Sequence, residues 1–534
     1  MGIWAGFHHA MARGIGMASG VALAVFLVAT VWLGRLERGG PAHGDLLLAG
    51  GVPATLSLPG SDDVAVQDAF LDPPPRGERP PAIVLMHGFA GDRLSLSSLA
   101  RRLAAAGYAV LAIDASGHGE NRNPWRGGFV RSDGFQADLA AAVDYLRLSP
   151  FVDGERIALM GHSMGAGAAL DFATRDAGIG AAVLISGGWR LDGPYRPPNA
   201  LFLVAEGDPA GVRDRAALLV ARLGEVERAE VGRAYGSFAS GTALRLAVVP
   251  GADHLSIVWR GDAVREMVAW LDAAFGIPRE AVEVPTDARI PALVVMALAF
   301  VGVLPGLGLL GAGLAGRRDP LSTARRGRGL AALAVALVAA MPLLATGTLA
   351  EIVSAELLDF VVATFALAGL GLLLWIRWRE PGLLAWIGRD PAAPLLAAGL
   401  GILAVFSLMS PFGVALHRVT LTPERVLIFG MAAAGFFPLS LAFACLVRRG
   451  PGFSAMLFGL AGRALIVLLL GAGVATEILP FVLVLMLPIL CFAFVAMELL
   501  AAFVYAGSRN PLAIALLDAG WLAAIAAAVL PVRI

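Results

Sequence analysis

The chain of 534 residues has no lysine; all 41 of its basic residues are arginine. This is a compositional bias with no functional reading of its own. Cysteine is nearly absent. Cys445 and Cys491 both lie in apolar runs of the C-terminal half, so the polar part of the chain has neither a disulfide nor a cysteine metal site. Charge is also scarce, at 15% of residues with a formal net charge of zero. Nucleic-acid binding needs a basic footprint, and none is present. No cluster of metal-ligand spacing and no nucleotide-binding glycine loop occurs, so no cofactor is expected.

Apolar residues, by contrast, are abundant. They make up 58% of the chain, and mean hydropathy is +0.75, well above the soluble average. Residues 15–34 form an apolar run long enough to cross a bilayer, flanked by Arg13, Arg35 and Arg38. No small-x-small cleavage site follows it, so a retained anchor is expected, with residues 1–14 before it. From about residue 50 to 278 the composition turns soluble. Beyond 290 long apolar runs return, at about 290–315, 329–350, 357–376, 395–415, 426–447, 464–480, 481–505 and 511–530. A polytopic, all-helical membrane domain of about eight spans over 290–531 is the expectation.

Arginine placement predicts the topology. Arg317, Arg318, Arg325, Arg326 and Arg328 crowd the first connection between these spans, Arg377, Arg379 and Arg389 the third, Arg448 and Arg449 the fifth, and Arg509 the seventh. The even connections carry Glu351, Glu356 and Asp359, then Glu477; the one around Arg418 and Arg425 is an exception. By the positive-inside rule the odd connections are cytoplasmic and the soluble domain lies outside, in a bacterial plasma membrane.

Within the soluble region strand and helix signals alternate. Strands are expected at 82–86, 109–113, 157–160, 182–185, 201–205 and 244–249, and helices at 95–106, 135–148 and 212–229. Such alternation implies a mostly parallel sheet covered by helices on both faces.

Chemistry gathers at the carboxyl ends of these strands, where an open α/β sheet builds its site. Gly161-His162-Ser163-Met164-Gly165 reads as strand, sharp turn and helix with a serine at the apex. The glycines are required because a side chain at either position would meet the neighbouring strand or helix. His87-Gly88-Phe89 ends the first strong strand, and Asp114 with Gly117-His118-Gly119 follows the next. Gly207-Asp208-Pro209 and Gly251-Ala252-Asp253-His254 follow two later ones. A serine hydroxyl is a weak nucleophile at neutral pH, so it needs a base, and the base needs an orienting acid. Ser163, Asp208 and His254 fit these roles, and the backbone N–H groups of Phe89 and Met164 fit an oxyanion hole. Asp192 is the alternative acid. Asp253 reads as loop polarity, and His118 and His162 as structural hydrogen-bonding residues.

On these residues the stretch from about 80 to 275 resembles the α/β-hydrolase superfamily, in the branch of dienelactone-hydrolase-like and serine-aminopeptidase-like esterases. The resemblance implies an α/β-hydrolase domain inserted between the anchor and the membrane domain. It also implies a serine hydrolase acting on carboxylic esters, lipid or acyl esters among them, through an acyl-enzyme on Ser163. Two alternatives stand beside it: an acyltransferase using the same triad, and a transporter-like membrane protein with an accessory hydrolase domain.

About fifteen residues, Ser186 to Ala200, separate two of the strands, too few for a large lid. The membrane half is a candidate cover, and Trp189 and Tyr195 are candidates for lining an acyl pocket. In the membrane half, Glu498 and Asp518 fall inside apolar runs, where ionisable groups are candidate functional sites. The structural alternative is pairing with Arg463. Expected partners are an ester or lipid substrate and membrane lipids.

Overall fold

In a computed structural model, the described residues are 2–60, 74–126, 133–187, 189–191, 193–281, 283–318, 326–345, 358–418, 422–450, 452–476, 479 and 482–533. Asp192, Arg325, Glu351, Glu356 and Glu477 lie outside them. The chain divides into two compact units. One comprises Gly34–Ile290 with Phe412–Thr420 and Val529–Ile534; the other comprises Met1–Leu33, Pro291–Pro411 and Leu421–Ala528.

The first unit is built on a sheet of nine strands, β1 (His43–Leu48), β2 (Val52–Ser57), β3 (Pro81–Met86), β4 (Ala109–Ile113), β5 (Asp153–His162), β6 (Ile179–Ile185), β7 (Ala200–Ala205), β8 (Ala234–Tyr235) and β9 (Leu244–Val249). Their order is β1-β2-β4-β3-β5-β6-β7-β9-β8. The six strands from β4 to β9 are parallel; β1, β2 and β8 add antiparallel edges, so the sheet is mixed. Every residue of β3, β4 and β7 is buried, as a parallel strand covered on both faces requires. Alternation then sorts the side chains: Val84 and Met86 enter one core, Ile83 and Leu85 the other. Helices α2 (Ser97–Ala105), α3 (Asp133–Leu148), α4 (Met164–Arg175), α5 (Ala210–Leu223) and α6 (Gly261–Phe275) cover the faces.

Three boundaries differ from the sequence reading. The sheet begins at His43 rather than near residue 50. The β1–β2 hairpin turns through Gly50 and Gly51, both at positive φ (72° and 76°), and alternating exposure along β1 leaves one of its faces out of the core. Helix α5 stops at Leu223, before the expected 229, where Gly224 caps it. The N-terminal helix α1 runs Gly2–Arg38, well beyond the expected 15–34.

The second unit is helical: the first part of α1, then α7 (Arg289–Leu314), α8 (Arg326–Ala345), α9 (Leu358–Arg379), α10 (Leu383–Ile387), α11 (Ala392–Met409), α12 (Pro423–Leu446), α13 (Gly452–Ala475), α14 (Val482–Ser508) and α15 (Pro511–Val529). Each of the eight expected C-terminal spans and the expected anchor falls on a helix. Among the described residues eight helices, α1 included, are long and apolar enough to cross a bilayer; the described apolar part of α8, Arg328–Met341, is shorter. Small residues set the close packing. Ser19 donates to the Gly302 carbonyl (2.9 Å) and accepts from the Gly306 N–H (3.0 Å), and a Cβ at Gly369 would strike the backbone of Leu439.

Candidate active site

The turn at Ser163 is tight for reasons the neighbouring atoms make plain. Ser163 sits at φ 53°, ψ −113° between β5 and α4, a strained conformation for a residue with a side chain. Its N–H donates to Ile185 (2.8 Å), which anchors the turn to β6. A Cβ on Gly161 would strike the backbone of Gly165 and Ala166, and one on Gly165 the carbonyl oxygens of Met86 and His87. The collisions with helix and strand expected from the sequence are thus both present.

Three strand ends bring the remaining groups to the serine. His254 Nε2 lies 3.1 Å from Ser163 Oγ, and His254 Nδ1 lies 2.6 Å from Asp208 Oδ1. Both His254 and Asp208 are buried. Asp208 Oδ2 accepts from Ser186 Oγ (2.6 Å) and from the Ala205 N–H (2.7 Å). Burial alone would raise the Asp208 pKa, but the hydrogen bonds from His254 and Ser186 and the attraction of the imidazole outweigh it and hold the carboxyl below its usual range. An ionised acceptor on Nδ1–H leaves Nε2 free to accept the serine proton. Ser186, at the end of β6 with φ 47°, was not singled out from sequence, although its place just past a strand end was a usable signal.

The loop after β3 lies against the same serine. A Cβ on Gly88 would sit 3.1 Å from Ser163 Cβ and 3.1 Å from His162 Nδ1, so only glycine lets this backbone approach so closely. The Phe89 amide is the next peptide group after this glycine. Met164 opens α4, and its N–H belongs to the helix-terminal donors that have no carbonyl within the helix. The two amides suit a developing oxyanion.

The histidines flanking the site tie loops together. His162 Nε2 is 2.8 Å from the His254 carbonyl oxygen. Burial first, and His254 second, lower the His162 pKa to about 3, so the ring is neutral and donates this bond. His87 accepts from the Ala115 N–H through Nε2 (3.0 Å) and lies 2.7 Å from the Gly88 carbonyl oxygen through Nδ1. Burial lowers its pKa as well. His118 is buried among the rings of Phe89, Trp125 and Phe135. The structural reading of His118 and His162 agrees with these contacts.

Other expected residues lie elsewhere. Trp189 has no exposed surface and packs edge-on against Phe202 (5.2 Å between centroids), and Tyr195 is buried in the same core. Both are core side chains, which differs from the expectation that they line an acyl pocket. Glu498 and Asp518 belong to the helical unit. Arg463 bridges them, at 2.9 Å and 2.8 Å, and Arg448 also pairs with Glu498. The structure thus shows the pairing with Arg463 that was the alternative to a functional site. Among the described residues no group of three or more His, Cys, Asp or Glu side chains is placed to hold a metal ion.

The sheet order, the glycine-flanked serine turn and the strand-end loops define an α/β-hydrolase domain. Residues 77–208 match the family model described as serine aminopeptidase, S33, in keeping with an α/β-hydrolase fold. Cutinase est1 of Thermobifida alba is 29% identical over 133 residues, 24% of this chain and 41% of that protein. Bis(hydroxyethyl) terephthalate hydrolase of Streptomyces coelicolor is 31% identical over 24% of this chain and 39% of its own length. An uncharacterized protein of Mycobacterium tuberculosis is 35% identical over 24% of this chain and 46% of its own length. The chain therefore spans under half the length of the curated relatives it matches. Among solved structures, a hyperthermophilic esterase from Pyrobaculum calidifontis aligns with a TM-score of 0.33 and 15% identity over 50% of this chain and 98% of that one.

Proposed function

We propose that this protein is a membrane-bound serine hydrolase that cleaves carboxylic esters outside the cytoplasm. The observation that supports this best is His254, within hydrogen-bonding reach of both Ser163 and Asp208. Ser163 Oγ attacks the ester carbonyl while His254 Nε2 takes its proton. The tetrahedral oxyanion forms against the amides of Phe89 and Met164. His254 then returns the proton to the leaving alcohol, and a water activated by the same imidazole releases the acyl group from Ser163. The cutinase and terephthalate-ester hydrolase relatives favour esters. The family model's description, serine aminopeptidase, supports a second reading in which the acyl donor is a peptide.

The extracytoplasmic placement draws on the arginine pattern and on the parity of the spans. Phe412–Thr420 and Val529–Ile534 count with the hydrolase unit. Four and eight expected spans separate them from residue 290, and an even number returns the chain to the same side. This parity also supports α8 as a crossing.

The test is fluorophosphonate labelling and p-nitrophenyl ester hydrolysis by the full chain and by Ser163→Ala. Loss of both in the variant is expected, and unchanged labelling sinks the assignment. Aminoacyl p-nitroanilides assayed in parallel separate ester from peptide preference. Reporter fusions at residues 260 and 322 test sidedness; cytoplasmic activity at residue 260 overturns it.

A further inference from the structure

The arginine that broke the positive-inside pattern has a specific place in the hydrolase unit. Asp92 follows the His87-Gly88-Phe89 loop by three residues and is buried. One carboxylate oxygen accepts from the Ser95 N–H (2.9 Å); the other accepts from the backbone N–H of Arg418 (2.8 Å), with His417 Nδ1 at 3.7 Å. The next residue, Arg93, is also buried. Its N–H donates to Asp114 (2.8 Å), and its guanidinium pairs with Asp114 and with Glu120 (2.6 Å). Glu120 is shared: Arg418 Nη1 reaches the same oxygen at 2.8 Å, and Arg418 Nη2 lies 3.4 Å from Asp45. The Ala415 carbonyl accepts from Ser97 Oγ (3.3 Å). Three carboxylates, Asp45, Asp114 and Glu120, thus converge on two guanidiniums while Asp92 holds the Arg418 backbone, and one of the two guanidiniums comes from a connection some 300 residues further along the chain.

A second distant segment is bonded to the chain between Gly117 and Trp125. The Val532 N–H donates to the Gly117 carbonyl (2.8 Å), and the Trp125 N–H donates to the Val532 carbonyl (2.8 Å). The Trp125 ring stands edge-on to Phe89 at 5.9 Å.

We infer that the connection 412–418 is part of the catalytic unit and that Arg418 is a positioning residue for the oxyanion loop, holding Asp92 and Glu120 so that the Phe89 amide faces Ser163. The inference rests on the serine-hydrolase reading. In physical terms, one backbone hydrogen bond and one shared carboxylate fix the distance between the 88–93 loop and the 114–120 loop. Without the guanidinium, Asp45, Asp114 and Glu120 face Arg93 alone, and their mutual repulsion pushes the two loops apart. A displaced amide loses transition-state stabilisation and leaves ground-state binding nearly untouched.

The test uses the full chain in detergent or nanodiscs, with a short-chain p-nitrophenyl ester as substrate and an alkyl boronic acid as tetrahedral probe. Arg418→Gln is expected to lower kcat about tenfold, with KM within about twofold, and to weaken the boronate by a factor similar to the loss in kcat. Arg418→Lys keeps the charge but cannot span both partners, and should fall between wild type and Arg418→Gln. Glu120→Gln combined with Arg418→Gln should recover part of the loss, because one repelling carboxylate is gone. If Arg418→Gln keeps kcat and boronate affinity within about twofold, or loses activity through KM alone, the inference is overturned. If that variant does not fold, Arg418→Lys decides: kcat and boronate affinity equal to wild type overturn the inference, and a parallel loss of both supports it. Ser163→Ala distinguishes this from failure of the underlying reading, since residual labelling there defeats the hydrolase assignment whatever Arg418 does.

Discussion

Replacing Asp208 by Asn tests the orienting role most sharply, because the three donors around this side chain dictate the result. Oδ2 faces two donors, the Ala205 N–H and the Ser186 hydroxyl; Oδ1 faces His254 Nδ1. An asparagine has one accepting oxygen. Turning its NH2 toward Ala205 sets two donors against each other at about hydrogen-bond distance, so the oxygen stays there and the NH2 faces His254. Nδ1 must then accept, the imidazole proton moves to Nε2, and Nε2 can no longer take the proton of Ser163, 3.1 Å away. The geometry survives, and the tautomer is wrong. A loss in kcat of roughly 10³–10⁴-fold, or about 4–5.5 kcal/mol in the barrier, follows. The assay is steady-state hydrolysis of an activated ester at pH 7 to 8, with active sites counted by fluorophosphonate titration. A loss below about thirtyfold refutes the assignment, because a triad acid in the wrong tautomer costs far more than that. Asp192→Asn measured alongside shows whether that residue is the acid instead.

Other outcomes follow from the same structure. Gly165→Ala drives a methyl group into the carbonyl oxygens of Met86 and His87; activity should fall at least about a hundredfold and stability by about 2 kcal/mol, read by labelling rate and thermal midpoint. His162, with its pKa lowered to about 3, stays neutral in the folded chain while the unfolded chain takes up its proton near 6.5. The unfolded state therefore binds more protons between those values, stability falls as pH drops through that window, and His162→Gln should flatten the acid limb of midpoint against pH. Asp287 acts in the same direction lower down: the hydrogen bonds and charge of Arg289 overcome burial and hold it at about 2, contributing about 2 kcal/mol above pH 4 that is lost on acidification toward pH 2. Its variant Asp287→Asn should remove that dependence. Glu498→Ala leaves Arg448 and half of Arg463 unpaired, so the thermal midpoint should drop by an amount equivalent to about 3 kcal/mol while kcat per labelled serine holds. A lost kcat in a stably folded variant would restore a functional role to that carboxylate.

Much of the catalytic side was legible because chemistry and backbone geometry coincide there. Ser163, Asp208 and His254 each follow an apolar run that forms a parallel strand; a Cβ at Gly161, Gly165 or Gly207 would strike neighbouring backbone, and Gly251 turns the last loop at positive φ. Local signals of this kind need no knowledge of distant contacts. The β1–β2 edge was missed because β1 is largely exposed and β2 buried, so the two short strands share no common alternation. Trp189 and Tyr195 were misplaced for a related reason. An aromatic beside a strand end has the same sequence signature whether it points into a groove or into the core, and only tertiary packing decides, as Trp189 against Phe202 shows.

The arginines carry the argument one step further. Charge counting treats every arginine in a connection as a free topological signal, and on that count the fourth connection was an exception. Arg418 pairs with Glu120 and lies beside Asp45, and buried Arg425 donates to the carbonyl of Ala528 (3.0 Å) at the end of α15. An arginine whose charge is neutralised by a carboxylate, or whose guanidinium caps carbonyl oxygens inside a fold, is held by those partners and not by the anionic membrane face. Arg448, Arg449 and Arg509 in the odd connections are paired as well, with Glu498, Glu380 and the Gly450 carbonyl, so pairing alone does not account for the exception. What sets Arg418 apart is where its partners lie: Glu120 and Asp45 belong to the hydrolase unit, so the connection that breaks the periodic pattern is the one whose arginine reaches the loops of the candidate site.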